Sequence, residues 1–353
     1  MKRRSFIKKS AVASSVFSIV PSHVMGFSGV TPNDKIQLGF IGVGRQGRGL
    51  MTNFVNYDNA AVVAVSDADI KKMAYFTETF QKQLLRKKKA SQQLTEIESY
   101  RELLGRKDID AVVIASPDHW HAQMSVDAAK AGKDIYCEKP LSSSVAEGRA
   151  MVDAARKYQR VFQTGSMQRS WDGFRHGVEL IRNGYIGEIK EINVAVGAPY
   201  KACDLPTQET PDTIDWDAWI GPAPYRGYHM DLACPLEDKR WGQWRDYKPF
   251  GGGMITDWGA HMFDIIQWAL DQDHSGPTVF TPPSSPAESG LTYTYDNGIK
   301  VTHTKWGDGN NEIQFIGSEG RLEVSRSYLK TYPNKALADT PLKDSDTNRV
   351  YKS

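Results

Sequence analysis

The sequence has few cysteines and no long apolar run, and each shortage excludes a class of protein. Only three cysteines occur among 353 residues, without a C-x-x-C pair, so neither a disulfide framework nor a cysteine-rich metal site is indicated. Free thiols are expected, and a Cys203 to Cys234 bridge stays open as the alternative. No apolar stretch reaches the roughly 18 residues that span a bilayer, so we expect no stable membrane insertion.

An excess of one charge is also missing. The chain has 44 Lys and Arg against 42 Asp and Glu, and five of those basic residues fall within the first nine positions, with no acid before Asp34. Without those five, the net charge falls from +2 to about −3. A polyanion partner normally requires a basic surface, so we expect no nucleic-acid binding.

The basic N-terminus has the pattern of an export signal. Lys2-Arg3-Arg4-Ser5-Phe6-Ile7-Lys8 resembles a twin-arginine motif, a short apolar run follows over 11–20, and small residues surround Gly26. A pattern of this kind is removed from the mature protein. We therefore expect residues 1–26 to be a signal peptide, the twin-arginine translocase to be a transient partner, and the mature protein to be periplasmic. The alternative is a basic amphipathic arm.

The remaining sequence divides into two patterns. Over 35–165, β-branched runs alternate with helical segments, which predicts an α/β, doubly wound parallel sheet of the Rossmann type; the strands are expected at 36–41, 61–65, 111–115, 134–137 and 161–164. Over 166–330, we expect an α+β domain with an open antiparallel sheet, through which the chain could form a homo-oligomer. Asp296-Asn297-Gly298 is a hairpin signal within it. Residues 331–353 are expected to be a polar, unpatterned tail.

A dinucleotide fingerprint follows the first predicted strand. Gly42-Val43-Gly44-Arg45-Gln46-Gly47 opens a helix, and Asp67 lies 20 residues later at the end of the next strand. In this pattern the glycines permit a tight turn and close approach of the pyrophosphate, and the acid accepts hydrogen bonds from the ribose hydroxyls. The acid repels a 2′-phosphate, so NAD is expected and NADP is less favoured, although Arg45 could soften that preference.

Two further predicted strand ends should reach the same crevice, since ligands bind beyond the carboxyl ends of parallel strands. One carries Ser116, Pro117, His119, Trp120 and His121, and the other carries Glu138 and Lys139. A lysine at a partly buried strand end can exchange a proton with a substrate hydroxyl. The alternative for Lys139 is a surface salt bridge to Glu138.

A glycine run in the second domain precedes a third candidate group. Asp257 and His261 follow Gly251-Gly252-Gly253 and lie four residues apart, which on one helix lets a carboxylate orient an imidazole. The alternative is a helix-start aspartate beside a core histidine. Metal-ligand spacing such as H-x-x-x-H is absent, so no metal is expected.

The loop before this helix is aromatic. It contains Trp216, Trp219, Tyr225, Tyr228, Trp241, Trp244 and Tyr247. Aromatic faces beside hydrogen-bonding groups suit a sugar ring. Most of these rings are expected to pack in a core, with one or two, such as Trp241, touching substrate.

From Lys35 to about Val324 these motifs together resemble the glucose-fructose oxidoreductase / inositol dehydrogenase / MocA family. The resemblance implies a Rossmann domain whose nicotinamide is covered by the sheet domain, with Lys139, Asp257 and His261 around the reacting carbon. It also implies that His261 is the acid/base and that Arg169 reaches substrate. Many exported relatives continue through a further C-terminal segment, so either this chain is a fragment or its closure differs.

We therefore expect an exported NAD-dependent oxidoreductase that acts on a sugar, glycoside or polyol and holds its cofactor tightly. The alternative is a redox-neutral glycosidase, lyase or epimerase that forms a transient keto-sugar. A third reading, a non-catalytic sugar-binding or NAD-sensing protein, is separated from both by its lack of turnover.

Overall fold

The computed structural model describes residues 34–238, 240–284, 289–306 and 311–350. The predicted export signal at residues 1–26 lies outside these residues.

The first domain is built on a six-stranded parallel sheet. Its strands are β1 (Ile36–Ile41), β2 (Ala60–Ser66), β3 (Thr95–Glu96), β4 (Ala111–Ile114), β5 (Asp134–Cys137) and β6 (Phe162–Thr164), in the spatial order β3-β2-β1-β4-β5-β6. The connecting helices are α1 (Arg45–Phe54), α2 (Ile70–Arg86), α3 (Tyr100–Gly105), α4 (Asp118–Lys130) and α5 (Val145–Lys157). The strand order reverses direction between β1 and β4, which is where such sheets bind ligands.

The second domain is built on a seven-stranded sheet. Its strands are β7 (Ile189–Ala195), β8 (Val279–Thr281), β9 (Thr292–Thr294), β10 (Lys300–His303), β11 (Glu312–Gly317), β12 (Arg321–Ser325) and β13 (Leu329–Tyr332), in the order β13-β12-β11-β7-β10-β9-β8. The α/β class with a second sheet domain is confirmed. The sheet is mixed rather than purely antiparallel, because β10 pairs in parallel with β7.

Two long helices cover one face of that sheet. They are α6 (Asp172–Arg182) and α9 (Gly259–Ala269), and their apolar residues pack with β7, β10, β11 and β12 in one buried cluster. Phe315, Ile192 and Val194 on the sheet and Met262 and Ile266 on α9 have no exposed surface. This packing fixes the start of α9 relative to the sheet, and the start of α9 carries His261.

The aromatic loop forms a core of its own between the domains. Trp216 and Trp219, on the short helix α7 (Trp216–Ile220), stack at 4.7 Å, and Tyr228, Trp244, Tyr247 and Phe250 complete the cluster. Backbone hydrogen bonds join this loop to the start of α2, from Ile70 N to Thr213 O and from Asp215 N to Ala68 O. Most of the aromatic residues therefore pack in a core, as expected.

The last described residues do not form an unpatterned tail. Past β13, a short 3-10 turn (Lys335–Ala338) leads back onto α6, where Asn348 exchanges hydrogen bonds with Asn183 and Tyr185 donates to Asp346 at 2.7 Å. Leu342 and Val350 pack against the second-domain core. Because the segment is mostly polar, its sequence pattern does not predict this packing.

The three cysteines, Cys137, Cys203 and Cys234, are free thiols, so the alternative bridge between Cys203 and Cys234 is not formed. None of the helices in the described part of the chain combines the length and apolar character that a bilayer crossing needs.

Candidate functional site

The fingerprint turn depends on glycine at two positions. Gly42 has a φ of +81°, and a Cβ there would lie 2.4 Å from the Ser116 nitrogen. A Cβ on Gly47 would lie 2.4 Å from the Gly42 carbonyl oxygen. The strand therefore turns directly into α1 against the end of β4, as a dinucleotide-binding turn requires.

Gly44 plays a different part in the same turn. It caps the N-terminus of α1 without a side-chain hydrogen bond, and a Cβ on it would meet no atom within 4 Å. The first amides of α1 and its positive dipole end therefore face open space in the crevice. Such an end binds phosphate, so this turn fits the pyrophosphate of a dinucleotide.

Asp67 closes the turn from β2. Its Oδ2 accepts from Val43 N at 2.8 Å, and its Oδ1 accepts from Asp69 N at 3.0 Å. Burial raises the pKa of this carboxyl above its ordinary value. Each oxygen keeps a further lone pair, and Asp67 lines the crevice, so a ribose hydroxyl could donate to it there.

A crevice of about 710 Å³ runs from this turn to the second domain. The first domain lines it with Gly42, Gly44, Arg45, Gln46, Asp67, Ser116, Pro117, Asp118, His121, Glu138 and Lys139. The second domain adds Trp241, Arg245, Asp257, Trp258, His261 and Arg326. Residues from three predicted groups therefore share one cavity.

The centre of the crevice is an ion pair between the domains. Lys139 Nζ lies 2.6 Å from Asp257 Oδ1 and donates to the Asp257 backbone carbonyl at 3.1 Å. The side chains are only 15% and 12% exposed. Arg245 Nε lies 3.3 Å from the same Oδ1. The Lys139 ammonium therefore pairs with Asp257, and not with Glu138 as in the alternative interpretation.

Positive charge on Lys139 and Arg245 keeps the Asp257 carboxylate ionised. Burial alone would raise the pKa of Asp257, but Lys139 and Arg245 outweigh it and hold that pKa below its ordinary value. Glu138 has a different environment, since its Oε1 accepts from Gln46 at 2.9 Å and burial raises its pKa. Glu138 thus ties the fingerprint helix to the strand that carries Lys139.

His261 lies beside this pair but is not hydrogen-bonded to Asp257. The helix expected to carry both is interrupted at Trp258, with Asp257 ending α8 (Met254–Asp257) and His261 in α9. Its Nε2 is 3.3 Å from Arg326 Nη2, and its Nδ1 is buried without a partner in the described residues. Burial, with Lys139 and Arg326, lowers the pKa of His261 to about 3. The ring is neutral near pH 7.

Two residues predicted to contact the cofactor point elsewhere. His119 Nε2 lies 3.1 Å from the Trp219 carbonyl oxygen, and Trp120 Nε1 donates to the same oxygen at 2.9 Å. Neither lines the crevice. Both side chains face the aromatic core because α4 turns them away from the end of β4. His121, one position later, does line the crevice, and its Nε2 lies 2.9 Å from the Ser116 carbonyl oxygen.

Arg169 is also not placed toward substrate. Its guanidinium forms paired hydrogen bonds with Asp264 at 2.7 and 2.8 Å and with Asp273 at 2.8 and 3.0 Å. It does not line the crevice. Two carboxylates from the second domain hold it, so we interpret it as a junction residue and not as a substrate contact.

Three charged residues near the ion pair were not among the predicted site residues. Arg245 and Arg326 come from segments without a motif. Asp118 stands between two residues assigned to the site, and its 4% exposed carboxyl lines the crevice. Burial raises the pKa of Asp118 to about 8, although Arg245 acts in the opposite direction. Its position within Ser-Pro-Asp-His-Trp-His was the only available signal.

Trp241 reaches over the fingerprint from the second domain. The Arg45 guanidinium lies 4.6 Å from its ring centre, and that of Arg245 lies 5.3 Å from it. The ring is 46% exposed.

Within the described residues, no group of three or more His, Cys, Asp and Glu is arranged to hold a metal ion.

Two family models match the chain. Residues 36–166 match the GFO_IDH_MocA oxidoreductase family, NAD-binding Rossmann fold, and residues 197–349 match the C-terminal alpha/beta domain of the same oxidoreductase family. The uncharacterized oxidoreductase YrbE of Bacillus subtilis is 33% identical over 301 residues, which cover 82% of this chain and 71% of YrbE.

One curated relative matches over a smaller part of its length, and two solved structures share the fold. A glycosyl hydrolase family 109 protein of Shewanella pealeana is 33% identical over 153 residues, covering 43% of this chain and only 31% of that protein. Myo-inositol 2-dehydrogenase from Lactobacillus plantarum has a similar fold, with a TM-score of 0.56 at 19% identity over 83% of this chain and 77% of that one. WlbA dehydrogenase from Bordetella pertussis, in complex with NADH and UDP-GlcNAcA, gives 0.56 at 18% identity over 83% and 74%.

We predict that Gly44→Ala weakens NAD binding at least about tenfold without lowering the melting temperature. The added methyl has room in the protein but stands where the phosphates must approach. Gly49→Ala is the matched control, since it lies in α1 and its Cβ also meets no atom within 4 Å. Titration with NAD and thermal unfolding check both; equal NAD affinity in the two variants would contradict the assignment.

We also predict that wild type loses stability relative to Asp118→Asn as pH rises from about 4 to about 8. The folded pKa of Asp118 is raised to about 8 from an ordinary 3.8, so the unfolded chain ionises first and is increasingly favoured over that window. Thermal unfolding at pH 5 and pH 8 measures this. Asp153→Asn, on an exposed position of α5, should show no such trend; a constant difference for Asp118→Asn would refute the prediction.

Proposed function

Because this chain belongs to the Gfo/Idh/MocA family of oxidoreductases, we propose that it is an NAD-dependent enzyme that acts on a carbinol carbon of a sugar, glycoside or polyol. The observation that carries the proposal is the placement of Lys139, Asp257 and His261 in the crevice that begins at the dinucleotide turn. A cofactor site and an acid/base group are therefore continuous.

The residues present fit NAD. Gly42 and Gly47 permit the tight turn into α1, and Gly44 leaves room for the pyrophosphate. Asp67 offers an acceptor to the adenosine ribose while repelling a 2′-phosphate. When bound, the nicotinamide supplies hydride chemistry. The other cofactor contacts that we propose within the crevice come from Arg45, Gln46, Ser116, Pro117, His121, Glu138 and Lys139.

Lys139 has the role of a fixed donor in this proposal. Its ammonium is held by Asp257 Oδ1 and by the Asp257 carbonyl oxygen, which leaves a third N–H for a substrate oxygen. A positive donor fixed in a partly buried site stabilises negative charge as it develops on that oxygen. Asp257 positions the donor and balances its charge.

His261 has the role of proton acceptor. It is neutral near pH 7, so a ring nitrogen can take the hydroxyl proton of a substrate. The positive charges of Lys139 and Arg326 make the His261 imidazole a weak base when no substrate is bound. An anionic or partly deprotonated substrate oxygen offsets that charge, and the imidazole becomes more basic.

The position of Trp241 supports the proposal that the cofactor is held tightly. This ring, together with Arg45 and Arg245, lies over the mouth of the fingerprint turn. The cofactor would have to pass it to leave. A retained cofactor suits an exported protein, which has no soluble cofactor pool to draw on.

Export is supported by the sequence alone. The Arg3-Arg4 motif and the apolar run after it suit the twin-arginine pathway, whose passengers are folded and could carry their cofactor with them. We therefore propose a periplasmic location, with the translocase as a transient partner. Association of two copies through the open sheet stays a prediction.

A carbohydrate substrate is supported by the aromatic and charged lining of the crevice and by two structural neighbours, one in complex with UDP-GlcNAcA and one with scyllo-inositol. The redox-neutral alternative is favoured by the glycosyl hydrolase family 109 relatives. A transient ketone acidifies the neighbouring C–H, so the same residues could serve cleavage. Mass analysis separates them: net ketose supports the oxidoreductase, and a cleaved glycoside without net oxidation supports the alternative.

Lys139→Met and His261→Ala should each reduce turnover at least about a hundredfold while leaving NAD binding nearly unchanged. Both groups act on the substrate in this proposal, and the cofactor is anchored mainly by the fingerprint turn and Asp67, so loss of the single further contact from Lys139 should weaken NAD binding only slightly. Lys130→Met, an exposed lysine of α4, is the control. Wild-type inactivity across a broad sugar panel would instead indicate a non-catalytic binding protein.

Purified wild-type protein should keep NAD through dialysis, and Trp241→Ala should release it faster, because the ring over the turn is removed. Tyr225→Ala tests the same loop at a ring that is 76% exposed and does not line the crevice; it should retain NAD like wild type. Fluorescence of the bound reduced cofactor follows the loss. A wild-type protein that purifies without cofactor and needs millimolar NAD would refute retention.

A further inference from the structure

Arg326 lies in the part of the crevice that the second domain forms. It follows β12 and lines the crevice with His261 and Trp258. It also lines a neighbouring cavity of about 460 Å³ with Trp171 and Ser170. Arg326 therefore stands where a substrate group beyond the reacting carbon would lie.

Uncharged groups hold this side chain in place. Its guanidinium lies 4.3 Å from the ring centre of Trp258 and 5.2 Å from that of Trp171. With the Gln168 amide turned to satisfy its neighbours, its oxygen accepts from Arg326 Nε at 2.9 Å and from Nη2 at 3.2 Å. Gln168 is 1% exposed, so this support is rigid.

Carboxylates accompany the cations nearest the centre of the crevice. Lys139 and Arg245 share Asp257, and Arg240 pairs with Asp238. In the described residues, no carboxylate oxygen lies within 4.0 Å of an Arg326 nitrogen, and burial lowers the pKa of Arg326, with Asp257 alone acting in the opposite direction. The positive charge of Arg326 is thus without a direct counter-ion beside the acid/base group.

The donors of Arg326 are divided between two edges. Gln168 uses the edge formed by Nε and Nη2. The other edge, of Nη1 and Nη2, contains the nitrogen that lies 3.3 Å from His261 Nε2. Two parallel N–H donors on such an edge match the two oxygens of a carboxylate.

We propose that Arg326 is a specificity residue that binds the carboxylate of an acidic sugar, such as a hexuronate, through Nη1 and Nη2. The inference rests on the proposed function, since it names the substrate class of that same site. Arg326 is positioned by Gln168, Trp171 and Trp258, and it pairs with the substrate in place of a protein carboxylate.

Binding of a carboxylate would also act on His261. In the described structure, Nη2 faces the lone pair of His261 Nε2. A carboxylate that takes Nη2 neutralises the nearby charge and leaves Nε2 open to the substrate hydroxyl. Arg326 should therefore affect kcat as well as KM, and only for acidic substrates.

The first test is binding. NADH-loaded protein is titrated with D-glucuronate, D-galacturonate and D-mannuronate, and with D-glucose, D-galactose and D-mannose as neutral counterparts. Binding is followed by isothermal titration calorimetry. We expect at least one uronate to bind about tenfold to a hundredfold tighter than its neutral counterpart. Arg326→Gln should remove that preference and Arg326→Lys should restore part of it. Arg149→Gln, on the exposed face of α5, should keep it.

Equal affinity for every uronate and its neutral counterpart in wild type would overturn the inference, as would an unchanged preference in Arg326→Gln. The two proposals fail in different ways. If uronates bind preferentially but none is converted, the enzymatic function fails and the Arg326 site stands. If neutral sugars are oxidised as fast as uronates, the function stands and the Arg326 site fails.

Discussion

The ion pair between Lys139 and Asp257 is the constraint on which the site depends. It joins the end of a Rossmann strand to a short helix of the second domain at 2.6 Å. Each charge is largely buried, so removing either would leave the other partly uncompensated. Because Arg245 shares the same carboxylate oxygen, the pair also fixes the loop that carries Trp241. The domains therefore cannot shift independently without exposing this charge.

Each domain supplies different groups to the site around this ion pair. The first domain supplies the phosphate-binding turn and, through the hydrogen bond from Gln46 to Glu138, couples it to the strand that ends at Lys139. The second domain supplies a neutral imidazole and an arginine held by aromatic rings. A cofactor held at one end and a substrate held at the other would meet beside Lys139.

The features that could be predicted from the sequence are those that depend on neighbouring residues of the chain. The glycine turn and Asp67 depend on one strand, one turn and one helix, so their spacing was enough. Lys139, Asp257 and His261 were predicted from motifs, but their partners were not. Arg245 stands in an irregular loop before Asp257, and Arg326 is distant from His261 in the sequence. The side chains of His119 and Trp120 lie outside the crevice because α4 rotates them toward Trp219. Arg169 is held by Asp264 and Asp273, which are distant in sequence, so its surroundings could not be predicted.

The most direct test of this account is a double-mutant cycle on Lys139→Met and Asp257→Asn, with the rate of NADH formation in a single turnover as the readout. If the interdomain pair acts as one unit, the double variant should be about as slow as the slower single variant, with a coupling energy of about 1–3 kcal/mol. Additive effects, with no coupling energy, would contradict the claim that this pair organises the site.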